Sequence, residues 1–161
     1  MRRLGTAMSF AIGMAVLGAG PASAMSLNEM KARTVEIAHR YLQVWSSSNW
    51  ASLEGVPYAY GPRVRFYGRN YTHADLLAEK ERFIRQWPVR HYVHRPGSMQ
   101  IICNEVKQRC GIRSIIDFTA ANPARGTEKH GSARFDLGIS FEGPHPVILY
   151  EGGTIGRHQT D

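Results

Sequence analysis

The sequence predicts an α+β fold in which helices pack on one face of a curved, mostly antiparallel sheet. Two observations support this prediction. Residues 132–141 alternate between apolar and polar side chains, the pattern of a strand with one buried and one solvated face. Residues 26–47 and 72–87 instead carry apolar side chains every three or four residues, the pattern of amphipathic helices. Helices followed by a run of strands are typical of the α+β class.

The first helix is predicted over residues 26–47, where Ser26 or Asn28 can cap its start. A shorter helical segment follows at about residues 50–58. Its limits are hard to place because Pro57 cannot donate a backbone hydrogen bond.

A further helix is predicted over residues 72–87. Thr72 followed by Asp75 is a capping pattern, and Pro88 ends the helix. The apolar spacing predicts a buried stripe formed by Leu76, Leu77, Lys80, Phe83, Ile84 and Trp87.

Six strands are predicted around and after these helices. They cover residues 63–68, 89–96, 98–103, 110–120, 132–141 and 147–150. The polar stretch 122–131 is expected to form a loop between two of them, and residues 152–161 to form a frayed tail.

The first 24 residues resemble a secretory leader. Arg2 and Arg3 precede an apolar stretch at residues 7–17, and small residues then lead to a cleavage site after Ala24. The apolar stretch is shorter than the roughly 20 residues of a spanning helix, although a retained membrane anchor stays an alternative. We therefore expect a cleaved leader at 1–24, a single domain at 25–161, and a periplasmic or secreted protein without a stable membrane span.

Cys103 and Cys110 are the only cysteines, and they fall at the facing ends of two predicted strands. A pair of cysteines in an oxidising compartment is expected to form a disulfide. A short hairpin loop would place the two residues opposite each other, within disulfide distance. A redox or metal role is the alternative, but the spacing is not C-x-x-C.

The chain is basic, with a formal net charge of +7 that falls to +5 once Arg2 and Arg3 are removed with the leader. Such a charge suits an anionic partner, or it is simply a solvated basic surface. The arginines are spread over many segments, and an exported protein meets little nucleic acid. We therefore expect no nucleic-acid partner. The histidines show no ligand spacing, and His91 and His94 point to opposite faces of one strand, so no metal or cofactor is expected.

Three segments resemble a known family. They are YLQVWS at residues 41–46, VRFYG at 64–68, and the spaced pattern D-x4-K-x2-F-x3-WP at 75–88. They resemble the nuclear transport factor 2-like superfamily, which includes the SnoaL-like polyketide cyclases and the ketosteroid isomerases. The resemblance implies a cone formed by a strongly bent sheet and two or three N-terminal helices, with a pocket at its open end.

The enzymes of that superfamily use a carboxylate base in the cone beside a donor that stabilises an enolate. The best candidates for these roles are Asp117 and Tyr41. The alternatives are a surface Asp117 paired with Arg113, and a Tyr41 that packs with Trp45 in the core. Asp136, the other strand acid, is expected to point outward.

Other aromatic residues would form the walls of an apolar pocket, namely Tyr41, Trp45, Tyr58, Tyr67, Trp87 and Tyr92. No motif places a base beside Tyr41, so we favour a non-catalytic domain. It would bind a small apolar or amphipathic ligand, or an envelope protein, and the sheet also offers a possible homodimer face. The competing hypothesis is an isomerase, cyclase or hydratase that uses Asp117 and Tyr41.

Overall fold

A computed structural model describes residues 24–47 and 49–155 of the chain. The predicted leader falls almost entirely outside this range, as do residues 156–161 of the predicted tail. The helices are α1 (Leu27–Ser46), α2 (Asn49–Glu54), α3 (Val56–Ala59) and α4 (His73–Gln86). The strands are β1 (Tyr60–Phe66), β2 (Arg69–Thr72), β3 (Val89–His94), β4 (Gln100–Asn104), β5 (Arg109–Asn122), β6 (Thr127–Ser140) and β7 (Val147–Ile155).

The seven strands form one curved sheet in the order β2-β1-β7-β6-β5-β3, and β4 also pairs with β5. All pairings are antiparallel except that of β1 with β7. The helices cover one face, which we call the inner face, and the opposite face is the outer face. The predicted α+β class is confirmed. No helix in the described ranges combines the length and the apolarity that crossing a membrane would require.

Helix α1 begins after Ser26, one of the two predicted caps, which forms a capping box with Glu29. The Ser26 hydroxyl accepts a hydrogen bond from the Glu29 backbone, and the Glu29 carboxylate accepts from the Ser26 N–H. One face of the helix is buried against β3, β4 and β5. This face is formed by Met30, Thr34, Ala38, Leu42 and Trp45.

Helix α4 also begins as predicted, with Thr72 as its N-cap and Asp75 completing the capping box. Its buried face is formed by Leu76, Lys80 and Ile84. The predicted stripe was too wide, because Phe83 is 40% exposed. A spacing of four residues keeps Leu76, Lys80 and Ile84 on one line of the helix surface, so Lys80 lies between two core residues.

The structure extends several of the predicted strands and adds one strand. The predicted loop at 122–131 is mostly strand, because β5 and β6 pair up to Asn122 and Thr127 around a turn at Pro123–Arg125. Residues 127–130 are all exposed, so no apolar alternation marked this end of the hairpin. The short strand β2 was not predicted.

Strand β7 continues to Ile155, five residues beyond its predicted end at Tyr150. Gly152 and Gly153 therefore lie within the strand and not in a frayed tail, and Gly153 is required by its close approach to the backbone of β6. A Cβ at Gly152 would lie 2.4 Å from the Tyr150 hydroxyl oxygen, and one at Gly153 would lie 1.9 Å from the Arg134 carbonyl oxygen. The extension brings Glu151 into the sheet.

The predicted disulfide joins Cys103 to Cys110. The two residues are directly opposite each other in the β4–β5 register, and their Cα atoms are 4.0 Å apart. The bridge therefore closes the β4–β5 hairpin.

Removing this bridge is expected to weaken the fold without abolishing it. On the chain-entropy model so short a loop contributes about 2–3 kcal/mol to the free energy of unfolding. Urea unfolding of the Cys103→Ala/Cys110→Ala variant measures this loss. An unchanged midpoint in the variant and in the reduced wild type would contradict the prediction.

Candidate functional site

A buried cluster of polar side chains lies between the helices and the inner face of the sheet. Tyr41 comes from α1, Tyr60 from the start of β1, Lys80 from α4 and Glu151 from β7. We call these four residues the interior cluster. Glu151 reaches the inner face because it is opposite Leu137, a core residue, in the β6–β7 register.

The Glu151 carboxylate is the centre of the interior cluster. One of its oxygens accepts a hydrogen bond from the Tyr41 hydroxyl at 2.7 Å, and the other accepts from the Tyr60 hydroxyl at 2.5 Å. The Lys80 ammonium lies 3.4 and 3.2 Å from the two oxygens. The Lys80 and Glu151 side chains are only 6% and 5% exposed. Each Glu151 oxygen therefore already has two donors.

Aromatic rings hold the other side of the lysine. The Lys80 ammonium lies 4.1 Å from the centre of the Trp45 ring, 5.0 Å from that of Phe66 and 5.2 Å from that of Tyr60. A cation within about 6 Å of a ring centre, over its face, is attracted by the negative charge of that face. The rings and the carboxylate together replace the water that the ammonium loses on burial.

Burial controls protonation in the interior cluster. It lowers the pKa of Lys80 below its usual value, although the Glu151 charge acts in the opposite direction. Burial and the nearby Glu151 charge raise the pKa values of Tyr41 and Tyr60 well above 10, so both phenols are neutral donors at ordinary pH. The cluster as a whole holds one cation and one anion that neutralise each other.

The structure does not bring Asp117 and Tyr41 together. Asp117 lies on the outer face, where its side chain is 42% exposed and is bound by Arg95 at 2.6 Å. The Ser132 hydroxyl donates a second hydrogen bond at 2.6 Å. These hydrogen bonds lower the pKa of Asp117, which leaves it a weak base. The prediction that Asp117 and Tyr41 act together is therefore wrong, because alternation along β5 turns Asp117 away from the cone.

The expected pairing of a surface Asp117 with Arg113 is wrong as well. Arg113 donates to Asp136 at 2.7 Å instead, and Arg134 reaches the same carboxylate at 3.0 Å. Asp136 lies on the outer face beside Arg134, as the alternation of β6 indicated.

The six predicted pocket residues differ in their surroundings. Tyr41 and Trp45 lie at the interior cluster, with ring centres 6.1 Å apart. Tyr92 is half-buried, and its backbone N–H donates to Ser46 on α1. Tyr67 is 56% exposed but packs edge-on against Phe66, and its backbone N–H donates to the Glu151 carbonyl. Tyr58 is 75% exposed, and Trp87 packs against Lys129.

A groove of about 540 Å³ lies instead at the β1–β2 hairpin. We call it the hairpin groove. Its lining is formed by Arg63, Val64, Arg65, Asn70, Tyr71, Thr72 and Leu149.

Sequence reasoning missed Glu151, because the predicted strand ended one residue before it. A signal was nevertheless present. Lys80 stood in the predicted buried stripe of α4, and a lysine is almost never fully buried without a partner of opposite charge. A buried carboxylate facing Lys80 was therefore to be expected.

Comparison with known proteins bears on the fold. No protein-family model and no functionally curated protein matches the chain. Among solved structures, a nuclear transport factor 2-like superfamily protein from Salmonella enterica serovar Typhimurium superposes with a TM-score of 0.68 at 11% identity, covering 83% of this chain and 96% of that one. The chain has a nuclear transport factor 2-like fold.

Two further neighbours of the same fold extend the comparison. A protein with a cystatin-like fold from Caulobacter vibrioides matches with a TM-score of 0.63 at 10% identity, over 80% of this chain and 90% of that one. AclR from Streptomyces galilaeus, described as a candidate hydroxylase, matches with a TM-score of 0.51 at 18% identity, over 81% and 91%. These superpositions establish the nuclear transport factor 2-like fold. Identities this low give no information on activity.

Breaking the Lys80–Glu151 ion pair should lower the free energy of unfolding far more than breaking a surface ion pair does. Lys80→Met leaves a buried, uncompensated carboxylate, so the free energy of unfolding should fall by about 3–5 kcal/mol. The double variant Lys80→Met/Glu151→Gln removes both charges and should recover more than half of that loss. Urea unfolding of both variants measures the difference.

Arg82→Met is the matched control for this experiment, because Arg82 forms an exposed pair with Glu79 on the same helix. It should change the free energy of unfolding by less than about 0.5 kcal/mol. A double variant at least as unstable as Lys80→Met would contradict a coupled pair.

The buried tyrosines should make the fold sensitive to alkali. Unfolded tyrosines lose their proton near pH 10, whereas folded Tyr41 and Tyr60 keep theirs, and burial raises the pKa of Tyr92 to about 12. Because the folded state then binds more protons, this stability is complete below pH 10 and is lost as the pH rises.

The lowered pKa of Lys80 makes the free energy of unfolding rise with pH up to the usual lysine pKa of 10.5. The effect of the tyrosines is therefore measured between pH 10.5 and 12. Urea unfolding across this window should show a falling free energy of unfolding, with a shallower slope in Tyr60→Phe. Equal slopes in the variant and the wild type would count against the assignment.

Proposed function

We propose that this chain is an exported, non-catalytic domain that binds a small amphipathic ligand in the cell envelope. The observation that carries the proposal is the saturation of Glu151. A general base must have a lone pair free to accept a proton from the substrate. Both oxygens of this carboxylate are already bound by Lys80, Tyr41 and Tyr60.

Binding outside the interior cluster supports the same proposal. A ligand entering between Lys80 and Glu151 would have to separate a buried ion pair, which costs several kcal/mol. The hairpin groove has the volume of a typical small-molecule site and needs no such displacement.

Export is supported by two features of the chain. The first 24 residues carry the charged start, apolar stretch and small-residue cleavage pattern of a secretory leader. The disulfide between Cys103 and Cys110 is of the kind that persists in an oxidising compartment. An envelope protein is the alternative partner, and a homodimer stays a further possibility for the outer face.

A second candidate function is favoured by the position of Glu151. An acid in an apolar interior, beside two neutral tyrosine donors, has the components that enolate chemistry requires. In this candidate an isomerase or hydratase would use Glu151 as its base, in place of the predicted Asp117.

Native mass spectrometry of the exported protein distinguishes the candidates. We expect a co-purified small molecule on the wild type, retained in Glu151→Gln, because binding does not use the interior acid. The same two proteins are incubated in D2O with small ketones to detect deuterium exchange next to the carbonyl. Exchange by the wild type that Glu151→Gln abolishes would establish the enzyme and overturn the binding proposal.

A further inference from the structure

We infer that the hairpin groove is the site at which this domain recognises the acidic head group of its ligand. The head group would be a carboxylate or a phosphate carried on a short apolar body. This inference deepens the proposed function and depends on it, since it names the class of amphipathic ligand and the residues that select it.

The first argument is the distribution of charge on the outer face. Four arginines of the sheet and its adjoining loop are paired with carboxylates: Arg95 with Asp117, Arg109 with Glu142, and both Arg113 and Arg134 with Asp136. Within residues 24–47 and 49–155, neither Arg63 nor Arg65 has a carboxylate within ion-pair distance. These two guanidinium groups are therefore available to an anion from outside the protein.

The second argument is the geometry of the hairpin. Arg63 and Arg65 are two residues apart on β1, so both side chains stand on the outer face, while Val64 between them is buried in the core. In the β1–β2 register Arg63 is opposite Thr72, and Arg65 is opposite Asn70. All four side chains therefore border the same short trough.

The third argument concerns which of these groups can still bind. The Thr72 hydroxyl is occupied, because it forms the α4 cap with the Asp75 carboxylate at 2.7 Å. The two guanidinium groups and the Asn70 amide remain as donors. Planar guanidinium groups form paired hydrogen bonds with carboxylate and phosphate oxygens, a geometry that a neutral head group cannot satisfy.

The fourth argument is the apolar part of the groove. Leu149 lies beside β1, where a Cβ at Gly61 would be 2.6 Å from its Cδ2 atom. The stems of Arg63 and Arg65 add apolar surface of their own. A volume of about 540 Å³ accommodates a short alkyl chain or one aromatic ring beside the head group.

Three probes of equal chain length test the inference on the oxidised protein: octanoate, octyl phosphate and octanol. Backbone amide NMR titrations give both the dissociation constant and the position of binding. We expect one or both anions to shift the amides of residues 63–65 and 70–72, and octanol to bind at least about tenfold more weakly. A preference for octanoate or for octyl phosphate distinguishes a fatty acid from a phosphate-bearing lipid fragment.

Arginine variants separate recognition from general charge attraction. Arg63→Gln/Arg65→Gln should weaken binding of the preferred anion by at least about tenfold. Arg69→Gln is the matched control, because it removes an exposed positive charge from β2 outside the groove lining. It should change the affinity by less than about threefold. Thermal unfolding checks that each variant is folded.

The inference is overturned if octanol binds as tightly as the anions, if the shifts map elsewhere, or if the double variant binds normally. Its failure is distinguishable from failure of the proposed function. If a ligand co-purifies but neither anion binds in the hairpin groove, the proposed binding function stands and this site is rejected. Absence of a co-purified ligand together with absence of probe binding rejects both.

Discussion

Burying a lysine and a glutamate costs several kcal/mol per ion unless each finds its partner at close range. In this domain the requirement is met by residues from four different elements, so the interior cluster connects the helices to the sheet. Lys80 approaches from α4 and Glu151 from β7, while Tyr41 brings in α1 and Tyr60 the start of β1. Hydrogen bonds need close distances and angles, so this network fixes the relative position of these elements more narrowly than apolar contact would.

The same constraint limits what the interior can do. A carboxylate that already accepts from an ammonium and two phenols has neighbours that would have to move before a substrate could reach its oxygens. Three aromatic rings also lie within 5.2 Å of the Lys80 ammonium. The nuclear transport factor 2-like fold is thus present, while the polar groups of the interior cluster are paired with one another.

Local features of the fold could be predicted from the sequence because their causes are local. The Ser26 cap and the Thr72–Asp75 capping box depend on residues close in sequence, and the disulfide joins cysteines separated by six residues, so short-range chemistry located them. The central part of the interior cluster could not be predicted in this way. Lys80 and Glu151 are 71 residues apart and meet only through the parallel pairing of β1 with β7 and the packing of α4. Asp117 was misplaced for a related reason, since alternation shows that neighbouring residues face opposite ways but not which face the helices cover.

The contrast between the two faces of the sheet explains why binding is assigned to the outer one. The Lys80 and Glu151 charges cancel within the cluster, and a ligand that opened it would lose about 3–5 kcal/mol, or roughly 150- to 5000-fold in affinity. On the outer face most charges also cancel in ion pairs: those of Arg95 and Arg109 are exposed and contribute at most about 1 kcal/mol each, whereas Arg113 and Arg134 cover the buried Asp136 carboxylate. An anion that approaches Arg63 and Arg65 breaks none of these pairs and gains two guanidinium partners. The least costly place for this fold to bind an acidic ligand is therefore outside the cone.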